Sequence, residues 1–417
     1  MPDGAVAMIR GALPGDVVIA ELEQGNTKRR NLARIIKREE SSPDRCVHPC
    51  VHHLQGCPGS LLGVMKYEAG LEWKRNNLTQ QLKRIGDFTN VPVDKVVQSP
   101  EKWRYRDRIE LHLRRDSRRW RMGFLNGAKR KLIPIVTCNL ASEPVEAMLV
   151  EMDNSHKAIR DISEPRSARI LLRDNGEGGV IAVVFFPVKK LRNKALEMFR
   201  GWLNFLPLAG WQVRISASEK SRFFDSNLID EANYPRVVLP IGDKKIYLPP
   251  NAFIQTNHGV SDLLVAEILK HVPEDGQLLD LYGGFGAFGL AHALRGGEAV
   301  VVDSAPDGLK TGEKFAREYN LNARFVKLDL NKPDDLEMFL NTADTVIMDP
   351  PRSGLADEVA QKINQNGAKK LIYVSCHPAA LARDLTKLSK YKVKQILPFD
   401  MFSQTPDLET MVLLKRT

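Results

Sequence analysis

The sequence predicts an α/β protein: a C-terminal Rossmann-like domain built on a mostly parallel sheet, preceded by a small N-terminal β-barrel and a central α+β domain. Three observations predict it. From about Ile246 onward, "GQLLDLYGGFGAFGLAHAL", "GGEAVVVDSAPDGLKTGEKFARE", "ARFVKLDL", "TADTVIMDPPRSGL" and "KKLIYVSCHPAALARDL" alternate an apolar run with a turn or helix, the rhythm of βαβ units. Residues 4–36 instead alternate in the strand manner ("AVAMI", "VVIAELE", "ARII") around the turn "GALPGD". The middle region has neither rhythm. A cysteine-bearing loop, Arg45 to Gly59, leads into an amphipathic helix around Tyr67 to Ile85, and then come the strand-like runs "WRYRDRIELHLRR", "RRWRMGFLNGAKRKLIPI", "ARILLRD" and "GGVIAVVFF". The expected domains are 1–40, 41–245 and 246–417.

A chain of 417 residues with 43% hydrophobic content has ample core for two or three domains. Its formal charge of +10 favours a polyanionic partner, although composition alone is a weak argument for one. No apolar run reaches the roughly 18 residues of a membrane span, and the N-terminus lacks a basic-then-apolar leader. The expectation is a cytoplasmic protein. Five cysteines, an odd and small number, argue against a disulfide framework and leave metal binding or catalysis to explain them.

Gly284, Gly286 and Gly289 spell GxGxxG after the strand "LLDLY", and Asp303 ends the next strand. Both features serve a nicotinamide dinucleotide and S-adenosylmethionine alike. Asp280, just ahead of the glycines, would suit the cationic methionine end of S-adenosylmethionine and repel a pyrophosphate. "VIMDPPRSGL" delivers Asp349 to the carboxyl end of its strand, with Arg352 where an aromatic residue would signal methylation of an exocyclic amine. "LIYVSC" then brings Cys376 to the same edge. A cysteine there is more often a small buried hydrophobe, but beside a methyl-donor turn it has a chemical use. Carbon 5 of uracil is too weak a nucleophile to be methylated unaided; a thiolate adding at carbon 6 makes it electron-rich, and a base must afterwards remove the carbon-5 hydrogen.

"DLYGGFGAFGL", "VIMDPPRSGL", "YVSCHPAALARDL" and the tail "PFDMFSQTPDLETMVLL" together resemble the S-adenosylmethionine-dependent RNA uracil-5-methyltransferases, closest to the bacterial 23S ribosomal RNA enzymes. The resemblance covers essentially the whole chain. It implies a class I methyltransferase domain, a TRAM-like barrel at "GALPGD", and an iron–sulfur cluster at the cysteine loop. It also implies Cys376 as nucleophile, Glu409 in "DLETMVLL" as the base, Gln255, Tyr282, Ala287, Asp303, Asp329 and Asp349 as cofactor contacts, and Phe253 stacking on an extruded base. Asp349 could also hold the uracil edge; Phe253 could be core and Asp329 a plain strand-end carboxylate. Two departures stand out: Asp407 occupies the place of a common His, and Ala287 that of an Asn.

Cys46, Cys50, Cys57 and Cys138 supply the four thiolates of a four-iron four-sulfur cluster. Their C-x3-C-x6-C spacing differs from the C-x5-C-x2-C of the family, and His48, His52 and His53 within the loop keep a zinc site open. Lys102 to Arg108 and Arg114 to Arg121 interleave guanidinium groups with Trp103, Tyr105 and Trp120, suited to phosphates and unstacked bases, and Lys28, Arg29 and Arg30 add a basic cluster. The reading is a monomer that methylates a uridine in structured RNA, most simply 23S ribosomal RNA, with transfer RNA the alternative. A cytosine-5 RNA methyltransferase, a nicotinamide oxidoreductase and an inactive RNA-binding relative compete with it.

Overall fold

A computed structural model describes residues 7–22, 31–116, 119–126, 131–159, 165–217 and 226–417. At the N-terminus β1 (Ala7–Arg10), β2 (Val17–Leu22) and β3 (Asn31–Glu40) form a three-stranded sheet in the order β1-β3-β2, with β1 parallel and β2 antiparallel to β3. The basic cluster Lys28 to Arg30 lies outside the described residues. Asp16, in the "GALPGD" turn, accepts from the backbone N–H of Leu13 and Ser42 at 2.8 Å and pairs with Arg45. That pairing keeps its carboxyl far below the usual range and ties the sheet to the cysteine loop.

Helix α1 (Tyr67–Gly86) follows that loop. The central sheet contains β4 (Arg108–Asp116), β5 (Arg119–Leu125), β6 (Leu132–Pro134), β7 (Ser167–Asp174), β8 (Val180–Phe186), β9 (Gly210–Ile215) and β10 (Asn227–Ala232), ordered β10-β9-β8-β7-β4-β5-β6. All neighbours are antiparallel except β8 and β9. Strand β8 explains why "VIAVVFF" has no polar alternation. Val180, Ala182, Val184 and Phe186 pack under α2 (Glu143–Ser155) and α3 (Asn193–Phe205), while Ile181, Val183 and Phe185 pack against the hairpin β11 (Val237–Ile241)–β12 (Lys244–Leu248) and Phe285, Leu290 and Phe315. A strand buried on both faces reads as an unbroken apolar run.

The C-terminal part begins with α4 (His258–Lys270) and continues β13 (Gln277–Leu281), α5 (Ala287–Leu294), β14 (Glu298–Asp303), α6 (Pro306–Glu318), β15 (Ala323–Lys327), α7 (Leu336–Leu340), β16 (Thr345–Met348), α8 (Asp357–Asn366), β17 (Lys370–Ser375), α9 (Pro378–Lys387), β18 (Tyr391–Phe399) and β19 (Glu409–Arg416). The sheet order is β15-β14-β13-β16-β17-β19-β18. Strand β19 is antiparallel to both its neighbours, and the other six strands run one way. The order reverses between β13 and β16, which is where an open α/β sheet leaves a crevice at its carboxyl edge. Among the described residues no helix is long and apolar enough to cross a membrane.

The middle region also reaches into this C-terminal part. Leu78 and Leu82 of α1 join the core formed by Leu381, Ala382 and Leu385 of α9, and Val93 and Val97 bridge to Ile396 and Phe399 of β18. Lys74, 2% exposed, donates at 2.5 Å to Asp400, which is fully buried and also accepts from Tyr67 at 2.7 Å. Removing one partner of such a pair strands the other charge. Lys74→Met should therefore lower the unfolding free energy by about 3–5 kcal/mol in urea titration; a loss below about 1 kcal/mol would show that Tyr67 alone satisfies Asp400.

Candidate active site

At the carboxyl edge β13 gives way to Tyr282, Gly284 and Gly286, with φ of 61°, 59° and 86°. The left-handed backbone at Gly286 favours glycine, and a Cβ there would also come within 3.0 Å of Phe325. Asp303 accepts from the Gly284 N–H at 2.9 Å and the Ala305 N–H at 2.7 Å, binding the turn to the end of β14. In front of the turn lies a cavity of about 650 Å3 whose walls include Phe253, Gln255, Tyr282, Ala287 and Asp349. A nucleoside-sized cofactor fits such a volume.

Two further acids do not line this cavity. Asp280 is fully buried and accepts from the Gly289 N–H at 3.1 Å; burial pushes its carboxyl up to about 7. It supports the turn from behind and does not face the cavity. The cause is strand parity, since Asp280 shares a face of β13 with Leu278, which packs with Phe288 of α5. Asp329 is exposed beyond β15, accepts from the backbone and side-chain N–H groups of Asn331 at 2.9 Å, and does not line the cavity.

Strands β17 and β19 bring Cys376 and Glu409 together. Ser375 pairs with Thr410, so the next pair outward sets Cys376 opposite Glu409. Glu409 is 1% exposed, and its Oε1 has no hydrogen-bond partner among the described residues. Burial raises its carboxyl well above the ordinary value, the charge of Asp349 adds to this, and Arg352 opposes it. Asp349 is raised by burial too. The Cys376 thiol is pushed up to about 11, first by burial and then by Glu409, while Arg352 lowers it by charge and hydrogen bond. Arg352 also pairs with Asp407 at 3.5 Å. As a site residue Arg352 was missed: its sequence signal, a cation directly after Asp-Pro-Pro at the edge that receives Cys376, was used only to exclude amine chemistry. Phe253 is 64% exposed at the cavity, with the Arg108 guanidinium 5.7 Å from its ring centre.

The model of the tRNA (Uracil-5-)-methyltransferase family matches residues 66–296 and 310–417. The chain belongs to this family. Relatives include the 23S rRNA (uracil(1939)-C(5))-methyltransferases RlmD of Shewanella frigidimarina, 28% identical with 99% of this chain and 91% of that protein covered, and of Pseudomonas fluorescens, 28% identical with 99% and 88% covered. Among solved structures, the Pyrococcus abyssi tRNA (uracil-54, C5)-methyltransferase in complex with S-adenosyl-L-homocysteine superposes with a TM-score of 0.76 at 24% identity, covering 97% of this chain and 95% of that one. The fold is thus that of a class I methyltransferase of this uracil-5 family.

Outside the crevice, the cysteine loop is only partly gathered. Burial raises the Cys57 thiol, and Cys138 and Cys50 add to the effect by charge; burial likewise raises Cys138, with Cys50 contributing. Cys46 is exposed, with its Sγ 3.6 Å from the Gly63 carbonyl. Among the described residues no group of three or more Cys, His, Asp or Glu side chains is drawn close enough to hold a metal ion. Both His48 ring nitrogens are occupied, Nδ1 by the Cys50 N–H and Nε2 by the Ser60 carbonyl, each at 2.9 Å. The basic strands carry fewer free aromatic faces than expected: Trp120 is 1% exposed and packs on Phe199, and Tyr105 is buried. Both are core residues.

The environment of Cys376 gives a direct test. With the thiol near 11, alkylation of Cys376 by iodoacetamide should be slow at neutral pH and rise until that pH. Arg352→Met removes the cation that stabilises the thiolate, so the profile should move to higher pH; a shift to lower pH would mean that Arg352 does not face the thiol.

Proposed function

We propose that the protein methylates carbon 5 of a uridine in structured RNA, with 23S ribosomal RNA as the substrate. The observation that carries this reading is the opposed placement of Cys376 and Glu409 across the β17–β19 pair, beside a cavity sized for a nucleoside cofactor. Family membership and the similarity to the RlmD relatives support the substrate, and the chain's own formal charge of +10 agrees with an RNA partner.

In this reading S-adenosylmethionine, when bound, supplies an electrophilic methyl group on a sulfonium. Gln255, Tyr282, Ala287, Asp303, Asp329 and Asp349 are the proposed cofactor contacts, of which Gln255, Tyr282, Ala287 and Asp349 line the cavity. Phe253, exposed at the mouth, stacks on the extruded base. The thiol of Cys376 gives up its proton to solvent and the sulfur forms a bond to uracil carbon 6, with the electron pair of the ring double bond moving to an enolate that Arg352 is placed to neutralise. After carbon 5 has taken the methyl group, Glu409 removes the remaining carbon-5 proton; the electron pair reforms the ring double bond and the carbon–sulfur bond breaks, freeing the thiolate.

Further parts of the reading are proposed on the same footing. The chain acts as a monomer with divisions at 1–40, 41–245 and 246–417, and its N-terminal sheet belongs to a TRAM-like barrel. Cys46, Cys50, Cys57 and Cys138 hold a four-iron four-sulfur cluster, supported by their number and by the charge effects that Cys50 exerts on Cys57 and Cys138. The cluster has no part in methyl transfer by this route. Anaerobically purified protein should carry about four irons per chain; colourless protein containing zinc would transfer the site to a mixed thiolate and imidazole set.

The reaction is tested by tritium release from 5-tritiated uridine in ribosomal and transfer RNA transcripts. Release from ribosomal RNA is expected, and release from transfer RNA alone would change the substrate. Cys376→Ala should abolish release while S-adenosylmethionine still binds. Glu409→Gln should accumulate a protein–RNA adduct on a denaturing gel, and its absence would remove Glu409 from the role of base.

A further inference from the structure

A buried charge chain that the proposed methyl transfer leaves unused ends at the cofactor cavity. Arg173 is fully buried and donates to Asp107 at 3.2 Å, to the Ala252 carbonyl at 2.7 Å and to the Pro250 carbonyl at 3.3 Å. Asp107, itself buried, donates its backbone N–H to the Thr256 carbonyl at 3.1 Å, and its Oδ2 lies 3.3 Å from His258 Nε2. The pair thereby grips residues 250–258, the segment that carries Phe253 and Gln255. Burial works against the Asp107 carboxylate, but His258, Arg173 and Arg108 together hold it below its ordinary range, so it stays ionised.

His258 opens α4 and lines the same cavity as Gln255 and Asp349. Its Nε2 is buried in ion-pair contact with Asp107, and the ring is 36% exposed. The other cation on the cavity wall, Arg295, is already engaged by the carbonyls of Leu269 and Val272 and by His292. Asp262, one turn along α4, also faces His258; burial pushes its carboxyl up. A ring protonated on both nitrogens gives one N–H to Asp107 and has the other to offer the cavity.

We propose that His258 is a positioning residue that takes an oxyanion of the reactants, either the α-carboxylate of S-adenosylmethionine or the phosphate beside the target uridine. The inference rests on the uracil-5 reading of the site, and it also accounts for a buried Arg–Asp pair, a costly feature unless it serves to place a third group. A charge-assisted hydrogen bond of this kind changes affinity by about tenfold or more.

The test uses the full chain with His258→Ala and His258→Gln, each checked to melt as the wild type does. Calorimetry measures the affinity for S-adenosylmethionine and for its decarboxylated analogue, and filter retention measures the affinity for the ribosomal RNA transcript. About tenfold weaker S-adenosylmethionine binding in His258→Ala, with the decarboxylated analogue unaffected, assigns the carboxylate. Unchanged cofactor binding with RNA held about tenfold more weakly assigns the phosphate. Glutamine, which keeps an N–H donor, should restore part of either loss; a merely structural role would weaken the two cofactors equally. All three affinities within about twofold of wild type, or equal losses for both cofactors, overturn the proposal. Because these measurements need no turnover, a protein that releases no tritium from any RNA would refute the uracil-5 reading and leave His258 still to be decided.

Discussion

The arrangement of the proposed site depends on one antiparallel strand in an otherwise parallel sheet. Had β19 run with its neighbours, its first residue would lie at the opposite edge from the last residue of β17, some five or six residues of strand away. Because it runs against them, the strand that ends before Cys376 and the strand that begins with Glu409 meet at one edge, in the register Ser375 to Thr410. Antiparallel pairs one step past a hydrogen-bonded ladder place side chains within a few ångströms. Cys376 and Glu409, the proposed nucleophile and base, thus come together through sheet topology, although 33 positions separate them in sequence.

That pairing requires the chain between β18 and β19 to return in a fixed path, and the middle region supplies the constraint. Residues 400–408 are held by Lys74 and Tyr67 through Asp400, by the Tyr105 hydroxyl donating to the Ser403 carbonyl at 2.9 Å, and by the Leu62 N–H donating to the Gln404 carbonyl at 3.0 Å. Gln404 sits at a φ of 63°, a conformation that needs such surroundings. The same Leu62 lies two residues ahead of Val64, whose carbonyl accepts from the Cys46 N–H. The cysteine loop and the path to Glu409 therefore share one short stretch of backbone.

Much of this was legible in the sequence because strand-ending residues in an α/β sheet report their own position. Asp303, Asp349 and Cys376 each follow an apolar run, and each lies at the carboxyl edge as that pattern requires. What a linear pattern does not carry is which face a residue takes and which remote element covers it. Asp280 follows the same kind of run, yet parity turns it into the layer between β13 and α5, where Gly289 leaves room for it. Trp120, set among arginines, looks like a surface platform until α3 is packed over its strand. The docking of α1 on α9 likewise joins positions roughly three hundred residues apart, with no local signal.

The electrostatics of the edge then limit when the site can react. Three acidic groups, Asp349, Cys376 and Glu409, share a poorly solvated corner with the single guanidinium of Arg352 close to them. Desolvation disfavours charge on each, and any one that ionises raises the others, so the unliganded corner resists carrying more than one negative charge. A thiol pushed up to about 11 is a poor nucleophile toward stray electrophiles. In the proposed reaction, a cation bound beside Asp349 would shift that balance toward the ionised forms, because an opposite charge favours ionisation. Cys376 would then ionise only with the reactants in place, so that binding energy serves the proposed reaction and not the resting protein.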